Sequence, residues 1–315
     1  MSDWAPALKD VFSYKNLVHA IAGATGSTVA ITVFYPLDTV RTRLQVDDGR
    51  KAKYSPELIK EIWMEEGLVG LYRGWFPVVN SIWCSNFVYF YVFNSLKAIA
   101  YGKTGKPYPA KDLLLAYLAG VTNVLTTTPL WVANTRLKLQ GITWKSSKAD
   151  DTDTTHYTGI RDALSTIYKQ EGLRALWSGT TTSLFLASNP AVHFMVYEAL
   201  KRNLLRGKDV KELTSVSYFL MGALAKMVAT FITYPLQVIQ SRLRAGKDKS
   251  LKGVKGMYTI LLEIVKSKGV QGLYKGLEAK LTQTVLMAAL MFLTYEKIAS
   301  TVFRIMRAQA MPKTA

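Results

Sequence analysis

The amino-acid sequence predicts an all-α membrane protein of three tandem two-helix repeats, with six transmembrane helices in a pseudo-threefold barrel. Three observations lead to this prediction: long apolar segments with almost no charge, a proline motif that occurs three times, and basic charge between the apolar segments. The chain has 315 residues, 49% of them hydrophobic, yet it contains 40 Lys and Arg against 22 Asp and Glu. A net charge of +18 with a mean hydropathy of +0.10 requires charged and apolar residues to be segregated along the chain.

Six apolar segments have the length of membrane-crossing helices. Four of them lack Asp, Glu, Lys and Arg altogether, and they cover residues 16–37, 74–96, 113–135 and 175–197. The other two cover residues 213–241, where Lys226 is the single charge, and the charge-free residues 281–295. Most are near the length of about 20 residues that a helix needs to cross a bilayer core. Their many Ser, Thr and Asn residues indicate helices with one polar face, as expected around a wet cavity.

A proline motif marks three equivalent units. Eleven-residue stretches align without gaps around Pro36, Pro129 and Pro235, which are separated by 93 and 106 residues. Each unit continues with a charged residue before a glycine, an aromatic-x-Gly mark and a closing aromatic residue. Because a proline inside a helix removes one backbone hydrogen bond and bends the helix, three bent helices are expected to converge at one end of the barrel. The repeats are predicted to cover residues 12–108, 109–209 and 210–311.

Several classes of function are excluded by what the sequence lacks. The single cysteine, Cys84, excludes an intrachain disulfide and a multi-cysteine zinc site, and three scattered histidines have no metal-ligand spacing. We find no nucleophile–base pair and no Gly-rich phosphate loop, so neither an enzyme nor a prosthetic cofactor is expected. A nucleic-acid partner is not expected either, because the basic residues flank membrane segments instead of forming one stripe.

The repeated marks resemble the mitochondrial carrier family, and the resemblance runs from about Leu17 to about Phe303. The family pattern is P-x-(D/E)-x-x-(K/R)-x-(K/R), and the first repeat matches it fully with Pro36, Asp38, Arg41 and Arg43. The second and third repeats keep the proline and the last base. They carry Trp131 and Gln237 in place of the acid, and Asn134 and Gln240 in place of the first base.

Within the family, residues 128–137 are similar to the branch that carries nucleotide-containing cofactors, and residues 84–91 and 276–285 resemble peroxisomal carriers of adenine nucleotides and CoA. The resemblance implies exchange of ATP, ADP, AMP, CoA, FAD or NAD by alternating access in a multi-pass protein of the peroxisomal membrane. The alternatives are a mitochondrial inner-membrane carrier for another nucleotide cofactor, and an uncoupler-like proton or fatty-acid carrier on the same fold.

The resemblance also implies partners. Anionic nucleotides are the expected substrates, and membrane phospholipids are expected at the helix starts after Arg73, Ser178 and Lys275, since helix N-termini favour phosphate. We expect a monomer.

The family's cycle uses one gate on each side of a central site. On the motif side the sequence predicts contacts of Asp38 with Gln240, Arg41 with Trp131, and Asn134 with Gln237. No full ion pair is then left, so a weakly latched gate is expected. On the opposite side the sequence predicts contacts of Lys97 with Glu296 and of Lys201 with Asn94, while Glu198 faces Ala299.

The central site is expected about two turns into the even-numbered helices. Ser81 and Gln283 lie seven residues past Gly74 and Gly276, and the second repeat offers Phe185, Leu186 and Asn189 in an uncertain register. Lys226 and Lys280 are the cations deepest in the apolar segments. A buried lysine is costly without a partner, which favours phosphate binding, although Lys226 could instead extend to the membrane surface and Lys280 could pair within its helix.

Overall fold

The structure, a computed structural model, describes residues 25–46, 54–101, 108–140, 157–205, 215–246 and 253–310. Every regular element within these ranges is helical, and no strand occurs in them. The chain forms two compact units, one of residues 36–281 and one of residues 1–35 with 282–315. In the second unit the Ser27 hydroxyl donates a hydrogen bond to Met291 Sδ at 3.7 Å.

The helices follow one another in the order expected of repeated units. They are α1 (25–33), α2 (Tyr35–Val46), α3 (Ser55–Tyr72), α4 (Trp75–Tyr101), α5 (Pro109–Leu139), α6 (Ile160–Glu171), α7 (Thr180–Leu186), α8 (Asn189–Leu205), α9 (Ser215–Ala245), α10 (Gly253–Lys268) and α11 (Leu277–Ala310). Two short 3-10 helices cover Leu173–Trp177 and Val270–Tyr274.

Pairs of glycines give the three repeats the same local structure. The first glycine of each pair ends the loop helix with a positive φ, at Gly67 (69°), Gly172 (81°) and Gly269 (66°). The second precedes the next long helix, at Gly74 (78°), Gly179 (80°) and Gly276 (83°). Residues with a Cβ rarely adopt this conformation, so the glycines of the sequence marks are required by the backbone. In α3 the turn at Gly67 also breaks the helical geometry.

The core of the larger unit includes hydrophobic clusters in each repeat, where the end of a proline-containing helix packs on the following loop helix. In the first repeat Val40 and Leu44 of α2 meet Leu58 and Ile62 of α3. The second repeat has two clusters, one with Val132 and Ile167 and one with Leu137 and Ala163, and in the third repeat Val238 and Leu243 meet Ile260 and Ile264. Burying each large aliphatic side chain contributes about 1.5–3 kcal/mol, so these loop helices are firmly attached to the repeats.

The motif prolines are accommodated in two ways. Pro129 and Pro235 lie inside the continuous helices α5 and α9, whereas the helix before Pro36 is interrupted at Phe34. Pro129 cannot donate to the carbonyl of Leu125, four residues earlier. The indole of Trp177 donates to that carbonyl at 2.8 Å, so the hydrogen bond lost to the proline is replaced.

The sequence predicted one continuous helix over residues 175–197, and this prediction is wrong. The chain forms α7 and α8 with a tight turn at Ala187 and Ser188 between them. Pro190 at the start of α8 has no N–H for the carbonyl of Leu186, and the Ser188 N–H bonds to Phe185 O at 3.2 Å instead. The break therefore follows from the proline two residues after the turn.

Two of the described helices, over Lys111–Leu139 and Ser217–Ala245, are long and apolar enough to cross a membrane. Large apolar side chains are exposed along both of them, among them Leu114, Leu118, Leu125, Leu224, Val228 and Phe231. Extended apolar surface of this kind marks contact with lipid or protein. The predicted segments 74–96 and 281–295 lie in α4 and α11, and segment 16–37 is described only from residue 25.

Replacing the two kinds of glycine by alanine separates backbone strain from packing. At Gly276 a Cβ would lie 3.1 Å from the Tyr234 hydroxyl and 3.4 Å from the Arg41 carbonyl, whereas nothing lies within 4 Å at Gly67. Both Gly276→Ala and Gly67→Ala place a Cβ on a backbone with positive φ, which costs about 1–3 kcal/mol. Gly276→Ala adds about 1–3 kcal/mol of overpacking. The apparent Tm of purified protein, followed by tryptophan fluorescence, should therefore fall clearly further for Gly276→Ala; equal falls would contradict this.

Candidate functional site

A cavity of about 430 Å³ lies in the larger unit between α4, α5, α7, α8, α9 and the first turn of α11. Hydroxyl and amide side chains form much of its lining: Ser85, Asn123, Thr127, Thr128, Ser183, Asn189, Thr230, Gln237 and Gln240. The volume falls in the range of small-molecule binding sites. The polar lining explains why the apolar segments contain so many Ser, Thr and Asn residues.

The charge of the cavity is entirely positive. Lys226, Arg244 and Lys280 line it, and no Asp or Glu is among the lining residues that the structure describes. A concave site with one sign of charge and low-dielectric walls concentrates counter-ions, here anions. The Arg244 guanidinium also lies over the Trp131 ring, 5.9 Å from its centroid, and Trp131 lines the cavity beside it.

Four of the seven predicted substrate residues line this cavity: Leu186, Asn189, Lys226 and Lys280. The other three, Ser81, Phe185 and Gln283, are not among its lining residues, and the structure corrects their placement. Ser81 is fully buried and donates to Pro77 O at 2.9 Å, Phe185 is exposed, and Gln283 is 3% exposed. Counting residues from a glycine predicted which helical turn borders the cavity, but it did not predict which side chains of that turn face it. In the second repeat the break at Ala187 turns Asn189 into the cavity.

Asn189 connects a cavity lysine to the repeat motif. The Lys226 ammonium donates to Asn189 Oδ1 at 3.4 Å, and Asn189 Nδ2 donates to Thr233 Oγ1 at 2.7 Å. Gln237 Nε2 donates to the same Thr233 oxygen at 3.2 Å. These bonds orient the Asn189 amide, because its oxygen accepts on one side and its nitrogen donates on the other. Lys226 is therefore held towards the cavity and is not extended to the membrane surface.

The motif-side contacts differ from those predicted. Asp38 forms an ion pair with Lys138 of the second repeat and another with Arg41 of its own helix, at 3.2 Å. The sequence predicted Gln240 as the partner of Asp38 and no full ion pair on this side, and both predictions are wrong. Arg41 pairs with Asp38 and not with Trp131. The cation that lies over the Trp131 ring is Arg244.

The motif amides bond to neighbouring serines instead of to each other. Asn134 donates to Ser81 Oγ at 2.7 Å, and Gln240 donates to Ser183 Oγ at 2.8 Å. The predicted pair of Asn134 with Gln237 is absent, since Gln237 donates to Thr233. The first bond joins α5 to α4, and the second joins α9 to α7. Ser81 and Ser183 therefore hold the proline-containing helices to their neighbours, a role that the sequence analysis did not predict.

Arginine side chains tie the repeats together at the C-terminal ends of the proline-containing helices. Arg136 Nε donates to Arg244 O at 3.3 Å, and Arg242 Nε donates to Gln45 O at 3.1 Å. Arg73 donates to Gln140 O. The last carbonyls of a helix have no partner within the helix and carry partial negative charge, so a guanidinium is well suited to them. Each bond joins two different repeats.

Two further ion pairs connect the motif to the loop helix of the same repeat. Arg43 forms a two-pronged pair with Glu66, and Arg136 forms one with Glu171, with the second bond of each at 3.0 and 2.8 Å. Sequence reasoning recorded all four residues as repeat marks but did not pair them. The signal was available, because an acid precedes the glycine wherever the structure shows such a pair. In the third repeat Lys268 takes the acid's place.

The predicted gate on the opposite side is not formed by the described residues. Lys97 pairs with Asp112 at 3.2 Å, and its ammonium lies 5.3 Å from the Phe93 ring. The side chains of Glu296 and Ala299, the predicted partners of Lys97 and Glu198, lie outside the described residues. Within the described part of the chain, Asn94 and Lys201 form no hydrogen bond with each other. In the structure the motif-side contacts are therefore formed, and the partner of Lys97 is Asp112 of the larger unit.

These features define a helical repeat protein that encloses an anion-attracting cavity between polar helix faces. The model of the family "Mitochondrial carrier protein" matches residues 12–104, 105–208 and 211–305. The chain belongs to the mitochondrial carrier family. The predicted family and the all-α fold of three two-helix repeats are confirmed, and the protein is a transporter and not an enzyme.

The chain is similar to several named carriers. Peroxisomal membrane protein PMP34 of Mus musculus is 52% identical over 305 residues, which are 95% of this chain and 97% of that protein. The peroxisomal nicotinamide adenine dinucleotide carrier of Arabidopsis thaliana is 31% identical, covering 90% of this chain and 95% of the relative. Peroxisomal adenine nucleotide carrier 1 of Glycine max is 30% identical, covering 91% and 92%.

Breaking the buried and the exposed ion pair should have very different costs. Arg136 and Glu171 have side chains 7% and 11% exposed, while Lys97 and Asp112 are 34% and 29% exposed. Arg136→Met leaves the Glu171 carboxylate buried without its partner and should lower stability by about 3–5 kcal/mol. Lys97→Met, the matched control, should lower it by about 0–1 kcal/mol. Apparent Tm values of the two purified variants check this, and similar falls would contradict it.

Proposed function

We propose that this protein exchanges adenine-containing nucleotides and cofactors, such as ATP, ADP, AMP, CoA, FAD and NAD, across the peroxisomal membrane by alternating access. The observation that carries the proposal is the cavity with three cations and no acid among its described lining residues. The names of the relatives support the same direction, since they are peroxisomal proteins and carriers of adenine nucleotides or NAD. The nucleotides are substrates, and no prosthetic group is part of the proposal.

The lining residues offer a nucleotide three kinds of contact. Lys226 and Lys280 lie on different helices and supply charge-assisted hydrogen bonds to phosphate oxygens. Asn123 and Gln237 offer both a donor and an acceptor, as the edge of an adenine ring requires. The Trp131 face is shared with Arg244 and gives the cavity an aromatic surface. A substrate with phosphate and base together uses all three features.

Alternating access requires the motif-side contacts to open once substrate has bound. In the structure those contacts are made, with Asp38 paired to Lys138 and Gln240 bonded to Ser183. A substrate shifts the population of states only by the difference in its affinity for them. We propose that phosphate binding at Lys226 and Lys280 supplies this difference, because together with Arg244 they concentrate positive charge in a cavity whose described lining has no carboxylate.

An uncoupler-like proton or fatty-acid carrier is the alternative on the same fold. A proton pathway needs titrating groups along the cavity, and the described lining contains no carboxylate. Glu278, three residues before the last apolar segment, is exposed and is not among the lining residues of the cavity. The geometry therefore favours nucleotide exchange.

Transport by reconstituted protein tests the proposal. In liposomes preloaded with ATP, AMP, CoA, FAD or NAD, uptake of labelled AMP should depend on the internal substrate, and phosphate alone should not support it. Lys226→Ala and Lys280→Ala should each lower uptake about tenfold or more, since each removes a charge-assisted contact worth about 1.5–3 kcal/mol. The exposed Lys60 of α3 offers the control Lys60→Ala, which should leave uptake unchanged.

Two results would contradict the proposed function. One is wild-type protein that takes up no labelled nucleotide from any preload but leaks protons when fatty acid is added. The other is full uptake by both cavity-lysine variants, which would place the substrate elsewhere.

We also propose the predicted repeat boundaries, phospholipid contact at three helix starts, and a monomeric state. The repeat boundaries at 108/109 and 209/210 are supported by the periodic glycines and prolines. Phospholipid contact at the helix starts after Arg73, Ser178 and Lys275, and a monomeric state, are supported by the family resemblance.

A further inference from the structure

We infer that Lys138 and Arg244 are the cations of the motif-side gate, each displaced by about one helical turn from the position where the first repeat carries Arg41. The inference rests on the proposed function, because a gate has meaning only in a transporter. It explains how the second and third repeats close this side although Asn134 and Gln240 stand where the family pattern has a base.

The equivalent positions follow from counting along the motif. Nine residues after the prolines come Gln45 in the first repeat, Lys138 in the second and Arg244 in the third. These positions lie four residues after Arg41, Asn134 and Gln240, on the same helical face and about 6 Å further along the axis. Side chains in a helix lean towards its N-terminus, so a long base at the later position reaches back to the earlier level.

Lys138 replaces the missing base of the second repeat. It forms the ion pair with Asp38, the acid of the first repeat, and the two side chains are 8% and 13% exposed. Asn134, at the usual position of the base, is 1% exposed and bonded to Ser81 of α4. The usual position therefore serves the packing of α5 on α4, and the charge that meets Asp38 comes from one turn later.

Arg244 stands in the same relation to the second repeat's altered acid position. Its guanidinium lies over Trp131, the residue in the place of the acid, and donates to Ser183 Oγ at 3.1 Å. A cation over a tryptophan ring is a partial substitute for an ion pair. Gln240, four residues earlier, is bonded to Ser183 as Asn134 is to Ser81. At the third interface Ser241 donates to the side chain of Gln45 at 2.6 Å, and Arg242 donates to the Gln45 carbonyl at 3.1 Å.

The three interfaces of the gate are consequently unequal. Nine residues after the proline, Lys138 of the second repeat forms an ion pair with the first repeat, and Arg244 of the third forms a cation–π contact with the second. Gln45, at this position of the first repeat, is not a base, and its side chain accepts a hydrogen bond from Ser241 of the third. Removing the cation should therefore loosen the gate most at Lys138. A base returned to position 134 should restore the closure, because positions 134 and 138 lie on the same face of α5.

The test uses a cysteine that becomes reactive when the gate opens. Thr42 lies one turn after Asp38 and is 6% exposed. Among the described residues its hydroxyl bonds to the Asp38 carbonyl of its own helix, so Thr42→Cys is a mild change. Cys84 is exposed and is removed by Cys84→Ser. A hydrophilic maleimide then labels the detergent-purified protein. In a parallel background Ala119→Cys, at a buried position of α5 far from the gate, reports general loosening.

Lys138→Gln gives this position the residue of the first repeat, and it should raise the labelling rate of Thr42→Cys about fivefold or more while Ala119→Cys is unaffected. Asn134→Lys with Lys138→Gln should bring the rate back to within about twofold of the parent. Arg244→Gln should raise the rate by a smaller factor. An unchanged rate in Lys138→Gln, a double variant as reactive as Lys138→Gln, or equal increases at both cysteines would overturn the inference.

The same proteins separate this inference from the proposed function. If the parent protein exchanges no nucleotide in liposomes, both the proposed function and the proposed gate are contradicted. If the parent exchanges nucleotides but labelling is unchanged in Lys138→Gln, only the displaced gate is contradicted.

Discussion

Buried guanidinium groups are the constraint on which this structure depends. Arg43 is completely buried and meets Glu66, while Arg136 meets Glu171 and the last carbonyl layer of α9 at Arg244. A buried charge without a partner is very costly, so each arginine fixes the position of its loop helix, and Arg136 fixes the neighbouring repeat as well. In these two repeats a glycine with positive φ directly follows the acid, so the chain turns immediately after the residue that meets the arginine.

The cavity depends on the opposite treatment of charge. Lys226, Arg244 and Lys280 face a space in which the described lining offers no carboxylate, so the site attracts anions. The structural arginines thus meet acids and carbonyls at the helix ends, whereas the cavity cations lie in a wall made largely of hydroxyls and amides. Asp38 is paired with Arg41 and Lys138 and is not among the lining residues of the cavity.

The repeat, the helical class and the family followed from the sequence, because prolines and glycines impose backbone conformations that recur wherever the motif recurs. The cavity lysines were also predictable, since a charge inside an apolar segment requires a reason. Pairing between helices was not. Counting along the motif predicted Gln240 as the partner of Asp38, whereas the partner from another repeat is Lys138, a residue that the family pattern does not include. The helical face on which Ser81 and Phe185 lie depends on packing. The break before Asn189 depends on Pro190, and counting residues from Gly179 does not reveal it.

One cavity is proposed to recognise phosphate and adenine together. Equilibrium binding to the purified wild-type protein tests this, by the rise in apparent Tm at equal concentrations of AMP, adenosine and inorganic phosphate. A ligand at free concentration L stabilises the native state by RT ln(1 + L/Kd), so at equal concentrations the tighter ligand raises Tm further. We expect a clear rise with AMP, and much smaller rises with adenosine or phosphate alone, even when the two are added together. Equal rises with AMP and with phosphate alone would contradict it, because the cations would then account for binding without any recognition of the base.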